Sequence, residues 1–279
     1  MDFVEKIKTE LSNVYSKQEL GSVVSLIFNK LAGINLTEIL LLDNKKLSEK
    51  VMQKIESAVE RLKLNEPIQY VLGQTEFYGL PFITDNRALI PRPETEELVD
   101  LILCNCGLDE KPVEILDIGT GSGCIAVTLA QKLKNAQVSA FDISLDALNL
   151  AHENAELNNV FVKFYHQNIL KITDFEQKFD VIVSNPPYVT EEEKEFIKPN
   201  VLDFEPHIAL FVSNSEPLIF YDYISKFAKN HLKPNGKLYF EINQNFGKNI
   251  VKLLKINGFK NVELKKDISG KDRFVLGNI

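Results

Sequence analysis

Apolar residues follow two different periodicities along the chain, and the change falls near residue 74. Up to that point they recur every three or four positions, which predicts amphipathic helices. Beyond it, short runs of β-branched and aromatic residues alternate with helical stretches, as in proteins built from alternating strands and helices. The sequence therefore predicts a helical domain over residues 1–73, a β-hairpin linker over 74–96 and an α/β domain over 97–279.

Capping signals divide the first part into a small bundle of short helices. Ser16 and Glu19 form a capping box that opens the second helix. The other predicted bounds are Asn35 to Leu41 for the third helix, Leu47 to Leu62 for the fourth, and Pro67 to Gly73 for a last turn. The bundle contains no cluster of titratable residues, which favours a docking module for a partner protein over a catalytic domain. A purely structural role is the alternative.

The second part has the order of a doubly wound sheet. An aromatic stretch over 74–83 predicts a β-hairpin, and Pro93 opens a helix that continues to Cys104 and ends at Gly107. The predicted strands are 113–117, 137–141, 160–166, 179–183 and 237–242, the last preceded by a Pro234–Gly236 turn, with a closing hairpin over 262–264 and 273–276. The predicted helices are 124–133, 145–157 with Ser144 as its cap, one containing Tyr221, and 246–256. This order predicts an α/β fold with a closing antiparallel strand.

Composition is that of an ordinary globular protein, with 44% hydrophobic and 25% charged residues among 279. No apolar run reaches the roughly 18–20 residues of a membrane span, and the first residues lack the apolar centre of a signal peptide. The three cysteines are an odd number without metal or redox spacing, and no two of the four histidines have ligand spacing. We therefore expect a cytoplasmic protein with no membrane partner and no metal.

Charge is distributed unevenly between the two parts. Residues 1–75 carry ten basic and ten acidic side chains, whereas the remainder carries 22 and 29, so the whole net charge of −7 lies in the second part. A negative net charge argues against stable nucleic-acid binding through counterion release.

The chemistry is concentrated in Ser184-Asn185-Pro186-Pro187-Tyr188, which follows the buried-type strand 179–183. Pro187 holds the residue before it extended, so the Asn185 side-chain oxygen and the Pro186 carbonyl project beyond the carboxyl end of the strand, where ligands bind in open α/β sheets. These two acceptors, with Tyr188 as a flat face beside them, suit a planar –NH2 group. An ordinary turn with an asparagine cap is the alternative.

A glycine loop follows the first predicted strand of the α/β part. It comprises Gly119, Thr120, Gly121, Ser122 and Gly123, and its glycines let the backbone approach a ligand closely. Asp142 ends the next strand, where an acid can accept both hydroxyls of a ribose. A dinucleotide would satisfy both features, but its fingerprint places a glycine at the position of Cys124.

The tetrapeptide 185–188 resembles the Asn-Pro-Pro-Tyr motif of methyltransferases that modify amide or exocyclic amino nitrogens. Together with Leu89-Ile90-Pro91-Arg92-Pro93-Glu94-Thr95-Glu96, the preceding hairpin and the tail 266–273, it resembles the HemK/PrmC family of release-factor glutamine methyltransferases along the whole chain. The resemblance implies a class I methyltransferase fold, Rossmann-like with a mostly parallel seven-stranded sheet. It also implies S-adenosylmethionine as cofactor, with S-adenosylhomocysteine as product, and the glutamine N5 of the Gly-Gly-Gln motif of class-I peptide chain release factors as the methylated atom.

Site residues carried over from this resemblance fall into two groups. Asn185, Pro186 and Tyr188 would be catalytic, and with Pro187 they would bind the substrate amide. Residues expected to bind the cofactor are Gly119, Thr120, Gly121, Ser122, Gly123, Asp142, Asn168, Ile169 and Asn185, with Ile169 packed on the adenine. Arg92 and Glu94 would lie near the site.

Two positions depart from the family's usual pattern. Asn168 replaces an aspartate that meets the adenine amino group, although an asparagine oxygen can accept the same hydrogen bond. Glu241-Ile242-Asn243 replaces Glu-Ile-Gly, so this turn is expected to differ locally.

Several alternatives remain open from the sequence. They include a ribosomal-protein glutamine methyltransferase, a DNA adenine-N6 methyltransferase, and a binding module on an inactive methyltransferase fold. The acidic run Glu191–Glu195 is either a solvated helix start or a flap over the substrate, and we interpret His207 as a loop histidine rather than a base. We expect the protein to be a monomer.

Overall fold

A computed structural model describes residues 3–40, 47–106, 112–172 and 175–279. The chain forms two compact units, one made of residues 1–74 and 198–204 and the other of residues 75–197 and 205–279. None of the helices within the described ranges is long and apolar enough to cross a membrane.

The first unit is a bundle of short helices, as predicted. Its helices are α1 (Phe3–Leu11), α2 (Lys17–Ala32), α3 (Leu36–Leu40), α4 (Glu49–Lys63) and α5 (Ile68–Leu72). The Ser16–Glu19 capping box is confirmed, and Asn35 caps α3 by accepting from the Glu38 N–H at 3.0 Å. The predicted helix end at Leu41 lies outside the described residues. Buried side chains from α1, α2 and α4, such as Leu11, Phe28 and Leu62, form the core of this unit.

The second unit contains the sheet. Its first elements are β1 (Gln74–Phe77), β2 (Leu80–Ile83), α6 (Pro93–Cys106), β3 (Val113–Ile118), α7 (Cys124–Lys132), β4 (Ala136–Asp142), α8 (Leu145–Leu157) and β5 (Val162–His166). They are followed by β6 (Phe179–Ser184), β7 (Val189–Thr190), α9 (Pro199–Leu202, in the first unit), β8 (Phe211–Val212), α10 (Ile219–His231), β9 (Leu232–Glu241), α11 (Gly247–Ile256), β10 (Lys260–Lys266) and β11 (Asp272–Asn278). Short 3₁₀ helices lie at Glu191–Phe196, His207–Ala209 and Gln244–Phe246.

The strand order of the large sheet is β10-β11-β9-β6-β3-β4-β5. The strands from β9 to β5 are parallel, and β11 is antiparallel to both β9 and β10. This confirms the predicted fold class and the closing hairpin. The predicted hairpin at 74–83 is also confirmed, since β1 pairs with β2.

Alternate residues of the central strands face two separate cores. Ile115 and Val183 contribute to a core that includes residues of α6 and α7, whereas Leu116 and Ile182 contribute to one that includes residues of α10 and α11. Side chains along a strand point to the two faces of the sheet in turn. Since apolar residues occupy both sets of positions, both faces are apolar and the central strands are buried.

Some predicted boundaries shift. The largest difference is that β9 starts at Leu232 instead of Lys237, so the predicted Pro234–Gly236 turn is part of an irregular strand start. Its pairing with β6 jumps from Phe179–Leu232 to Val181–Lys237, and Asn235 adopts a φ of 66°. The extra residues bulge out between these two pairs. The predicted end of α6 at Gly107 lies outside the described residues.

Candidate active site

A cavity of about 360 Å³ opens at the carboxyl ends of β3, β4 and β6. Ile118, Asp142 and Ser184 end these three strands, and all three line the cavity. Parallel neighbours end at the same edge, so the loops that follow them converge there. The volume is within the range of small-molecule sites.

The glycine loop forms one wall, with Gly119, Thr120, Gly121 and Ser122 in contact with the cavity. Gly119 and Gly121 have φ values of 73° and 56°, a region that favours glycine. The loop is anchored to β4, because the N–H groups of Gly119 and Thr120 donate to the Phe141 carbonyl at 2.9 and 3.0 Å.

Gly123 does not line the cavity, although the sequence placed it among the cofactor residues. A Cβ at this position would lie 3.0 Å from the Cβ and 3.2 Å from the Cα of Ala151, and the φ of Gly123 is 81°. Gly123 therefore permits close packing of the loop against α8.

Asp142 ends β4 and lies in the cavity wall. Its carboxylate accepts from the N–H of Gly121 at 2.9 Å and from the N–H of Ser144 at 2.9 Å. Burial raises the pKa of Asp142, against the lowering effect of these backbone hydrogen bonds.

Asp117, behind the loop, is fully buried and accepts from the Thr120 hydroxyl at 2.7 Å. Burial raises the pKa of Asp117 to about 7, with a further contribution from the charge of Asp142. Two carboxyl groups close to the cavity favour a cationic ligand.

The apolar part of the wall suits a flat ring. Ile169 lines it, together with Ile143, Leu170, Phe220 and Ile224, which the sequence analysis did not single out. Asn168 also lines the cavity, and its side-chain oxygen accepts from the Leu170 N–H at 2.9 Å. That oxygen has one lone pair left for the predicted adenine contact.

Two arginines in the wall are already paired with acids. Arg87 binds Asp85 and Glu153, and Arg92 donates to Glu205 at 2.6 Å. The carboxylate of Glu205 is fully buried and also accepts from the Ile90 N–H at 3.1 Å. Because the positive charges of both arginines are already paired, the cavity wall fits a ligand with ribose hydroxyls and a positive charge better than it fits a pyrophosphate.

The Asn185-Pro186-Pro187 corner also lines the cavity. The Asn185 side-chain nitrogen donates to the Thr95 hydroxyl oxygen at 3.3 Å, and the Thr95 hydroxyl donates to Glu241 at 2.7 Å. The hydrogen bond to Thr95 leaves the Asn185 oxygen as the acceptor for a ligand.

Tyr188, predicted as a flat face beside these acceptors, follows the corner directly. It does not line the cavity; its ring packs at the edge of the core that includes α10 and α11, and its hydroxyl donates to Glu241 at 3.3 Å. The apolar ring packs against core residues, and the hydroxyl finds its hydrogen-bond partner in the buried Glu241 carboxyl. Burial and the charge of Glu241 raise the pKa of Tyr188.

Sequence reasoning missed the roles of Thr95 and Glu241. Thr95 lies inside the 89–96 signature and Glu241 in the Glu-Ile-Asn departure, so both were quoted without being assigned a contact. Burial raises the pKa of Glu241 to about 7, while the hydrogen bond from Thr95 and the charge of Arg273 lower it.

The other predicted features lie outside the cavity wall. Glu94 is partly buried and does not line the cavity, and His207 is exposed, with its ring edge-on to Phe211. Asn243 explains the local departure at 241–243, because its side chain donates to the Tyr188 carbonyl at 3.2 Å and to Glu193 at 2.9 Å. In the described ranges no group of three or more His, Cys, Asp or Glu side chains could hold a metal ion.

Comparison with solved structures shows the fold, and a family model indicates the class of protein. A methyltransferase from Pyrococcus furiosus is 20% identical with a TM-score of 0.52, covering 72% of this chain and 90% of its own. The Thermus thermophilus 16S rRNA N2 G1207 methyltransferase RsmC, in complex with AdoMet and guanosine, is 17% identical with a TM-score of 0.52, covering 74% of this chain and 49% of its own. At these identities the likeness shows the fold, and residues 99–202 match the family model "Methyltransferase small domain". The protein is a class I S-adenosylmethionine-dependent methyltransferase.

Sequence relatives identify the family. Residues 4–73 match the model "PrmC N-terminal domain". The release factor glutamine methyltransferase of Flavobacterium psychrophilum is 47% identical, over 96% of this chain and 95% of its own length. That of Bacteroides thetaiotaomicron is 42% identical, over 98% and 97%. The chain belongs to the family of release factor glutamine methyltransferases.

Proposed function

We propose that this protein transfers the methyl group of S-adenosylmethionine to the side-chain nitrogen, N5, of the glutamine in the Gly-Gly-Gln motif of class-I peptide chain release factors. The observation that carries the proposal is the orientation of Asn185 in the cavity wall. With its nitrogen donating to Thr95, its oxygen accepts, and together with the Pro186 carbonyl it suits the two hydrogens of a primary amide. The names of the relatives support the protein substrate.

The cofactor would be held by residues already in place around the cavity. Gly119, Thr120, Gly121 and Ser122 provide a close backbone wall, Asp142 suits the ribose hydroxyls, and Asn168 and Ile169 suit the adenine. When bound, S-adenosylmethionine supplies an electrophilic methyl carbon on a positively charged sulfur. The buried carboxyl groups of Asp117 and Asp142 favour that positive charge.

The corner formed by Asn185 and Pro186 would activate the substrate. An amide nitrogen is a weak nucleophile because its lone pair is delocalised into the carbonyl. Acceptors for both of its hydrogens favour the positive charge that develops as the nitrogen attacks, and they cost no reorganisation because they are preorganised. Holding the nitrogen in line with the methyl carbon contributes up to roughly 7–11 kcal/mol to lowering the barrier.

We assign the remaining parts of the chain to recognition and support. Residues 1–73 would dock the release factor, residues 74–96 would link the two parts, and residues 97–279 would catalyse the reaction. The separate apolar core of the first unit supports an independent docking role. Tyr188 would brace the corner from behind through Glu241.

The test is methylation of defined substrates by the full-length protein. Release factors, ribosomal proteins and DNA are each incubated with isotope-labelled S-adenosylmethionine, and tandem mass spectrometry locates the label on the proteins. We expect label on the Gly-Gly-Gln glutamine and none on a release factor carrying alanine there. Label on a ribosomal protein or on adenine, with none on release factors, would contradict the proposal.

A further inference from the structure

Two consecutive hydrogen bonds connect the corner of the active site to the buried side chain of Glu241. The Asn185 nitrogen donates to the Thr95 oxygen at 3.3 Å, and the Thr95 hydroxyl donates to Glu241 Oε2 at 2.7 Å. Thr95 and Glu241 are 2% and 1% exposed, so water does not compete for the hydrogen bond between them. Asn185 is half-buried, and both Asn185 and Thr95 line the cavity. These two hydrogen bonds link α6, the end of β9 and the loop after β6.

While Glu241 is ionised, the chemistry of the three groups fixes the direction of these hydrogen bonds. An ionised carboxylate can only accept, so the single hydroxyl hydrogen of Thr95 points to Glu241. The Thr95 oxygen is then left to accept, and only the nitrogen of Asn185 can donate to it. The reverse orientation of the carboxamide would place two acceptor oxygens against each other.

We infer that Thr95 and Glu241 are positioning residues, which hold the Asn185 carboxamide with its oxygen toward the substrate –NH2 group. The inference rests on the proposed function, because it concerns the acceptor that would hold the substrate amide. Neither residue is required to touch the substrate for this role. Glu241 acts through Thr95, and Thr95 acts through Asn185.

Protonation of Glu241 would release this constraint. A protonated carboxyl can donate to the Thr95 oxygen, which frees the Thr95 hydroxyl to donate to the Asn185 oxygen and turns the –NH2 of Asn185 toward the substrate. The groups that face the Glu241 carboxyl are Thr95 and Glu94 on α6, Cys124 on α7, Tyr188 after β6 and Arg273 on β11. The Tyr221 hydroxyl on α10 donates instead to the backbone carbonyl of Glu241. The arginine and the donors favour the ionised form, and burial and Glu94 oppose it. Activity should therefore fall on the acid side as Glu241 takes up its proton.

Replacement of Thr95 tests the hydroxyl itself. Thr95→Val keeps the shape and removes the hydrogen bond, and we expect kcat to fall by roughly 10- to 100-fold. Substrate KM and the affinity for S-adenosylhomocysteine should stay within about threefold, because the cofactor residues are untouched. Thr95→Ser restores the hydroxyl and should recover most of the activity.

Thr128→Val is the matched control. Thr128 is fully buried on α7, and its hydroxyl has no hydrogen-bond partner within the described parts of the chain. Its replacement makes the same chemical change away from the network and should leave kcat unaltered. A Thr95→Val enzyme with wild-type kcat, or equal losses in Thr95→Val and Thr95→Ser, would overturn the inference.

A second measurement decides the inference without turnover. In protein labelled with ¹⁵N-asparagine, the side-chain signal of Asn185 is assigned by its loss in Asn185→Asp. We expect this signal to shift with pH in the wild type, and the shift to disappear in Glu241→Gln and Thr95→Val. A pH-independent signal in the wild type, or the same titration in Glu241→Gln, contradicts the inference whatever substrate the enzyme methylates. Absence of release-factor methylation by the wild type contradicts the proposed function alone.

Discussion

At the scale of single residues, the Asn185 carboxamide is the group on which the proposed chemistry depends most directly. Asn185→Ala removes one preorganised acceptor and should lower kcat by about 10²–10³-fold. Cofactor affinity should survive, because the glycine loop, Asp142 and Ile169 remain in the wall. Single-turnover methylation and calorimetry with S-adenosylhomocysteine measure the two effects separately. A fully active Asn185→Ala enzyme would disprove the assignment.

Tyr188 should be far less sensitive to replacement. Its hydroxyl donates to the Glu241 carboxylate at 3.3 Å, whereas the Thr95 hydroxyl donates to the same carboxylate at 2.7 Å. Tyr188→Phe keeps the ring in the core and leaves the shorter hydrogen bond intact, so we expect a loss of activity below about tenfold. Steady-state kinetics with a release factor checks this. A loss as large as that of Asn185→Ala would mean that the hydroxyl contacts the reacting groups.

Asp117 should make the protein less stable as the pH rises. Burial raises the pKa of Asp117 from 3.8 to about 7, so the folded protein binds a proton more tightly than the unfolded chain does. Between these two pKa values stability falls with rising pH, by at most roughly 1.4 kcal/mol for each pKa unit. Asp117→Asn removes this contribution. The free energy of unfolding of the variant, taken relative to that of the wild type, should therefore be higher at pH 8 than at pH 4. Urea denaturation of both proteins at the two pH values measures these free energies. A difference between variant and wild type that does not change with pH would contradict the raised pKa of Asp117.

At the scale of elements, local signals in the sequence predicted most of what lies at the end of a strand. The β-branched run before Asn185, the two prolines after it and the glycines after β3 each act within a few residues, so their positions followed from the sequence. The Thr95–Glu241 contact spans 146 residues and depends on β9 lying beside β6. No periodicity contains that information. The hydrogen bond from Tyr188 to Glu241 was missed for a similar reason, because the buried acceptor lies on another strand.

The glycine loop also provides a prediction about packing between elements. Gly123→Ala introduces a Cβ 3.0 Å from that of Ala151 at a φ of 81°, so it adds a steric clash to backbone strain. Gly270→Ala is the matched control, with a φ of 80° and nothing within 4 Å of the new Cβ. We expect Gly270→Ala to cost about 1–2 kcal/mol of unfolding free energy and Gly123→Ala about 1–3 kcal/mol more. If urea denaturation showed equal losses of unfolding free energy in the two variants, α8 would be able to move away from the new Cβ without an energetic cost.

At the scale of the whole molecule, the two units each have their own apolar core, and all residues that line the cavity belong to the second unit. A bound ligand stabilises those parts of the protein that must unfold locally before the binding site is lost. It raises the free energy of such an opening by about 2.7 kcal/mol when the ligand concentration is 100 times Kd.

Saturating S-adenosylhomocysteine should therefore slow amide hydrogen exchange in β3, β4 and β6 and leave exchange in α2 unchanged. NAD should slow neither, because the two cavity arginines are already paired with acids. Exchange measured by mass spectrometry over peptides from both units tests this, with the Asp142→Ala variant as the control for site-specific binding. Equal slowing in α2 would show that the units open together, and protection by NAD would favour the dinucleotide alternative.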